Sequence, residues 1–187
     1  MRKLIAQQWV TLDNIVAEDD GGLGFVSGEP FDDSKSTPFR DSSMDLINSV
    51  DTMILGANTY RQSTGWATAT DQGEYGRKLN ELTKVVASST LDEAPWGDFP
   101  AGTVTSEPEA TIRDLKQQDG KHLWLWGSLS LMQSLFDAGL IDEVRLLICP
   151  TTRGTGHRFL HDRQDLCLIE ATGFDNNVVL LRYEVKH

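Results

Sequence analysis

The chain has 187 residues, 39% of them apolar and 24% charged, which fits one soluble globular domain and excludes general disorder, a fibrous repeat and a disulfide scaffold. Acidic residues outnumber basic ones 28 to 17, for a net charge of -11. That balance argues against nucleic acid and an anionic membrane surface as partners, because both are bound by clustered Lys and Arg. A small anionic ligand stays open, since a few backbone N–H groups can hold a phosphate whatever the net charge.

Residues 3–10 read as a first strand. Its apolar stretch is broken by Gln7 and Gln8, too short for a signal peptide, and no run approaches the ~20 apolar residues of a membrane span. A cytoplasmic protein is expected. A long polar, Gly-rich loop follows from Glu18 to Pro38. Asp41 to Val50 fits a helix with Met44 and Ile47 at core spacing. Asp51 to Gly56 is a buried-type strand ending at glycine, and a helix starts at Asn58. Residues 73–82 suit a helix and 84–88 a strand; 92–102 read as loop, with Val104 opening a brief strand. Ser106-Glu-Pro-Glu109 has the pattern of a capping box, so a helix runs to about Gln118. His122 to Trp126 is a strand stopped by Gly127. Leu131, Met132, Leu135 and Phe136 repeat at helical spacing until Gly139. Val144 to Cys149 is a strand stopped by Pro150. Leu166–Ala171 and Asn177–Val185 form a hairpin around Phe174-Asp-Asn-Asn177.

Strands alternate with helices and the end is strand-only. The pattern predicts a single α/β domain over 1–187: a three-layer αβα sandwich whose mainly parallel sheet has an antiparallel edge from the C-terminal hairpin. Cys149 and Cys167 lie in apolar runs without metal-type spacing and read as buried side chains; no metal site is expected.

In open α/β sheets, ligands bind beyond the carboxyl ends of the strands. Two strand–helix junctions carry a glycine, free N–H groups and a hydroxyl: Gly56-Ala57-Asn58-Thr59 and Trp126-Gly127-Ser128-Leu129. Both can hold an anion at a helix start, and Ser128 can equally be an ordinary N-cap. Ala87-Ser88-Ser89-Thr90, after the third strand, offers hydroxyls that can bind phosphate or ribose or simply form a turn. Asp13, at the end of the first strand, can orient a polar substrate or make an Asx-turn; Asp41 can do the former or cap its helix. The four histidines show no metal spacing, and Ser128 and Ser130 lack the G-x-S-x-G elbow. With no strong nucleophile or base in view, the chemistry rests on a bound cofactor.

The order of these motifs is distinctive. Leu12-Asp13 is followed by Gly56-x-x-Thr59-Tyr60, Ser88-Ser89-Thr90 and Trp126-Gly127-Ser128-Leu129. Then come Ala138-Gly-Leu-Ile-Asp-Glu143-Val-Arg-Leu and Pro150-x-x-x-Gly154-x-Gly156. The chain resembles the dihydrofolate reductase-like family, in the branch that includes the reductase domain of bacterial riboflavin biosynthesis. The resemblance implies that fold. It also implies a reductase that passes hydride from NADPH, with NADH open, to a small heterocyclic or carbonyl substrate, 5-amino-6-(5-phosphoribosylamino)uracil being the riboflavin-pathway case.

By the same resemblance, Gly56, Ala57, Asn58 and Thr59 cradle cofactor phosphate, and Ser88 and Ser89 lie at the adenosine end. Trp126, Gly127, Ser128 and Leu129 form the pyrophosphate turn. Val16 and Ala17 lie at the nicotinamide, with Asp13 and Asp41 as candidate catalytic carboxylates on the substrate side. Two departures stand out. Ala57 replaces the Arg that often pairs with the 2′-phosphate, leaving Arg61 one helical turn on. Trp126-Gly127 replaces a Gly-Gly pair often joined by a cis peptide, so a cis or strained 126–127 bond is expected. The bulk of Trp126 supports an alternative, a non-catalytic nucleotide-binding module with a narrowed cleft. The apolar tail strand and exposed sheet edge imply a homodimer.

Overall fold

A computed structural model describes residues 1–26, 36–68, 73–160 and 163–187. Part of the long loop expected after Glu18, and His161, lie outside the described residues. In chain order the elements are β1 (Leu4–Thr11), β2 (Ile15–Ala17), a single 3-10 turn (Gly24–Val26), α1 (Thr37–Ser49), β3 (Val50–Gly56), α2 (Ala57–Ala67), α3 (Gly73–Glu81), β4 (Thr83–Ala87), β5 (Ala94–Trp96), β6 (Phe99–Thr105), α4 (Pro108–Gln117), β7 (His122–Leu125), α5 (Leu129–Asp137), β8 (Glu143–Cys149), β9 (His157–Arg158), β10 (Leu166–Gly173) and β11 (Val179–Val185). They form two compact units, residues 1–6 with 44–141 and residues 7–43 with 142–187.

The first unit is built on the strand order β1-β7-β3-β4-β6-β5. The first five run parallel, with Ile54 of β3 beside Val85 of β4 and Leu125 of β7. Such strands are buried on both faces, and Met53, Ile54, Leu55, Leu123 and Leu125 are 0% exposed. Parallel strands also bring all their carboxyl ends to one edge, and the strand order reverses between β3 and β7. Gly139, at φ +62°, closes α5: its N–H donates to Phe136 O at 2.9 Å and that of Leu140 to Leu135 O at 2.9 Å.

Two expectations for this unit fail. Residues 92–102 are not loop throughout: from Ala94 on, β5 and β6 form an antiparallel hairpin that turns at Gly97, φ +55°. Pro95 is tolerated because β5 is an edge strand. The capping box at Ser106 is also absent. Glu107 takes the N-cap position without a side-chain cap, and the Thr105 hydroxyl accepts the Glu107 N–H at 3.0 Å instead.

In the second unit, β8, β11 and β10 pair antiparallel, with the C-terminal half of β1 beside β8. The expected C-terminal hairpin is present, turning through Asn177 at φ +63°. Phe39 packs with Leu147, Val178 and Leu180, its ring 5.7 Å from Trp9 and 5.4 Å from Phe174. Arg182 donates to Glu143 at 2.8 Å and Glu170 at 2.9 Å, so the buried Glu143 carboxylate is paired. Helix α1 begins at Thr37 rather than Asp41, because Ser36 caps it: its Oγ accepts the Phe39 N–H at 3.2 Å. Cys149 is buried as expected, and burial pushes its thiol up to about 12. Cys167 is exposed, because β10 is an edge strand.

Candidate functional site

The carboxyl ends of β3, β4, β6 and β7 surround a cavity of about 470 Å³ in the first unit. Each end delivers a short polar segment. Gly56, Ala57 and Asn58 come from the start of α2, Ser88, Ser89 and Thr90 from beyond β4, Ser106 and Pro108 from the start of α4, and Ser128 and Ser130 from the start of α5. Three helix N-termini therefore meet at one concavity, where unpaired backbone N–H groups and helix dipoles favour an anion. The described lining residues include no carboxylate, and Arg61 is their only cationic side chain. Its guanidinium reaches Asn58 Oδ1 at a long 3.3 Å and is exposed.

The two glycines expected at this site are both required by close approach. A Cβ on Gly56 would lie 2.3 Å from Ser128 Oγ, and one on Gly127 would lie 2.9 Å from Thr59 Oγ1. The strands are tied here, the Gly56 N–H donating to Gly127 O at 3.2 Å. Gly127 has φ +93°, a region that favours glycine. The cis peptide lies between Gly127 and Ser128, one residue after the expected 126–127 position. Glycine therefore occupies the first place of the pair and Ser128 the second. Ser128 precedes α5 but its side chain makes no cap hydrogen bond, so its hydroxyl faces the cavity without that duty.

Six of the expected cofactor residues line the cavity: Gly56, Ala57, Asn58, Ser88, Ser89 and Ser128. Thr59 abuts Gly127 instead, and Leu129 is not among the lining residues. Trp126 is not among them either: its ring stacks on Trp124 at 5.5 Å and 20°, packed on the core of this unit. Sequence reasoning missed Ser106, Ser130 and Ser134. The recurrence of Ser at 128 and 130, and a hydroxyl directly after β6, were the available signals.

The remaining expected residues belong to the second unit. Val16 and Ala17 are buried in β2. Asp41 is exposed in the second turn of α1. The Asp13 carboxylate accepts from the Thr11 hydroxyl at 2.5 Å, from the Gly154 N–H at 2.7 Å and from the Arg153 N–H at 3.1 Å. These bonds, the Thr11 hydroxyl first, hold its pKa down to about 2. At neutral pH it is therefore an ionised acceptor.

The sequence matches the RibD C-terminal domain family over residues 2–180. It is 26% identical over 189 residues to the uncharacterized protein YyaP of Bacillus subtilis, across 97% of this chain and 94% of that one. Two solved structures share the fold. One is a proposed riboflavin biosynthesis protein from Shewanella sp. PV-4, with TM-score 0.74, 18% identity and 99% of each chain covered. The other is dihydrofolate reductase from Enterococcus faecalis, complexed with NADP(H), with TM-score 0.60, 13% identity, and 99% of this chain and 97% of that one covered.

Proposed function

From the premise that the chain belongs to the RibD C-terminal domain family, we propose that it is an NAD(P)H-dependent reductase acting on a small heterocyclic or carbonyl compound. The observation that carries the reading is the hydroxyl-lined cavity where three helix N-termini meet, with no carboxylate among its described lining residues. Its donors suit phosphate and ribose oxygens, and at Gly56, on its wall, a side chain would collide with Ser128. A bound nicotinamide would supply the hydride. Gly56, Asn58, Ser88, Ser89 and Ser128 would hold the phosphates and the adenosine end. Family resemblance assigns the nicotinamide contact to Val16 and Ala17, and the substrate side to Asp13 and Asp41. Trp126, stacked on Trp124 outside the cavity lining, gives little support to the alternative of a non-catalytic module with an obstructed cleft.

The Arg61 guanidinium, the only cationic side chain among the described lining residues, makes NADPH the preferred form, because a 2′-phosphate would gain a charge-assisted bond that NADH cannot make. Calorimetric titration tests both levels of the reading. Wild-type protein is expected to bind NADPH. Arg61→Ala is expected to weaken NADPH by about tenfold or more while leaving NADH within about twofold. Absence of heat with either nucleotide would sink the cofactor reading. An equal loss for both would sink the role of Arg61.

A further inference from the structure

Asp13 is a half-buried carboxylate of the second unit, and its partners point to a task other than proton transfer. It sits in the turn that carries the chain from β1 into β2. Within that turn, the Asn14 N–H donates to Thr11 O at 3.0 Å and the Ile15 N–H to Thr11 Oγ1 at 2.9 Å. From there Asp13 reaches across 140 residues of sequence to the segment after β8, where both its oxygens take the Arg153 N–H and one also takes the Gly154 N–H. The same two stretches of chain meet again close by. The Leu12 N–H donates to Thr151 O at 2.8 Å, and Arg153 Nε to Glu18 at 2.9 Å. β2 pairs with β9, Ala17 opposite His157 and Ile15 opposite Arg158. At Gly156, φ +128°, a Cβ would lie 2.5 Å from Ala17 O. The glycines of Pro150-x-x-x-Gly154-x-Gly156 thus let one backbone lie directly against the other.

We propose that Asp13 is a positioning residue: it clasps the 151–156 segment and so fixes the backbone of β2, the strand that carries Val16 and Ala17. The proposal rests on the cofactor reading above, which assigns those two residues to the nicotinamide. A clasp of this kind acts on the nicotinamide half of the dinucleotide and leaves the adenosine half alone, because the hydroxyl-lined cavity draws no residue from β2 or from 151–156.

That asymmetry is the test. Full-length wild type, Asp13→Asn and Asp13→Ala are titrated with NADPH and with adenosine 2′,5′-bisphosphate, which lacks the nicotinamide. Asp13→Ala is expected to weaken NADPH about tenfold and to leave the bisphosphate within about twofold. Asp13→Asn, which keeps one acceptor oxygen, is expected to fall between. No change with either ligand, or the same loss with both, overturns the proposal. A wild type that binds neither overturns the cofactor reading instead. Gly156→Ala, with Asp13 intact, should reproduce the pattern by pushing the segment off Ala17. Amide exchange in the unaltered protein provides a readout independent of any variant's folding: the Arg153 and Gly154 amides should be protected, and free exchange there would also overturn the proposal.

Discussion

Lys84 shows how one side chain can set a pH dependence of the whole fold. It lies in β4 at 2% exposure, its ammonium 5.3 Å from the centre of the Trp96 ring and 5.9 Å from that of Phe99, and it donates to the Asn80 carbonyl. Among the described residues no carboxylate pairs with it. Burial lowers its pKa from 10.5 to about 8. The folded chain therefore releases this proton before the unfolded chain does. Between pH 8 and 10.5 the unfolded state binds more protons, so stability rises with pH across that window. Below it Lys84 costs the fold on the order of 3 kcal/mol, partly offset by its two ring contacts. Lys84→Met, close in volume and uncharged, is expected to melt a few degrees above wild type at pH 7, with the gap closing by pH 10. Thermal melts of both proteins at the two values decide it: a gap that does not change with pH removes Lys84 as the cause.

At the scale of elements, α1 gives the sharpest contrast between expectation and structure. Asp41 looked like a helix start because it precedes the apolar positions Met44 and Ile47. The helix begins four residues earlier, since Pro38 falls in the first turn, where its missing N–H would be unpaired anyway. Ser36, fully buried, caps the Phe39 N–H and donates to the Asp175 carboxylate. Ser36→Ala should therefore cost about 1–2 kcal/mol in denaturant unfolding, and Asp41→Ala less than about 0.5 kcal/mol. The reverse ranking would return the cap to Asp41. The same contrast explains what could be read along the chain. Helix α5 and the strands before Gly56 and Gly127 are set by local pattern and glycine punctuation, and so were the two glycine junctions of the cavity. The β5–β6 hairpin was hidden because Pro95, Pro100 and Gly102 usually break strands, and here an edge position excuses Pro95. The partners of Asp13 were hidden because they are backbone N–H groups 140 residues away, which no local pattern encodes.

For the molecule as a whole, the net charge of -11 sets the conditions under which two copies could meet. Acidic chains repel one another, so a stable pairing needs an uncharged patch and gains from added salt. β10 supplies such a patch at the end of its sheet: Leu168 is 55% exposed, Ile169 46%, and Cys167 is exposed as well. The only charged residue of the strand, Glu170, is held by Arg182 at 2.9 Å. Natural edge strands are usually guarded by Lys or Pro, and β10 has neither. A second copy of β10, related by a two-fold axis, would offer the same apolar residues and unpaired backbone groups, which makes a homodimer the expected state. Light scattering should then give about 42 kDa, twice the 20.8 kDa chain, and the dimer should hold or tighten as salt rises. Leu168→Lys, at an exposed site where the fold itself loses little, should give the single-chain mass with unchanged circular dichroism. A wild-type protein that already scatters as one chain, or a dimer that Leu168→Lys leaves intact, would put β10 outside any interface.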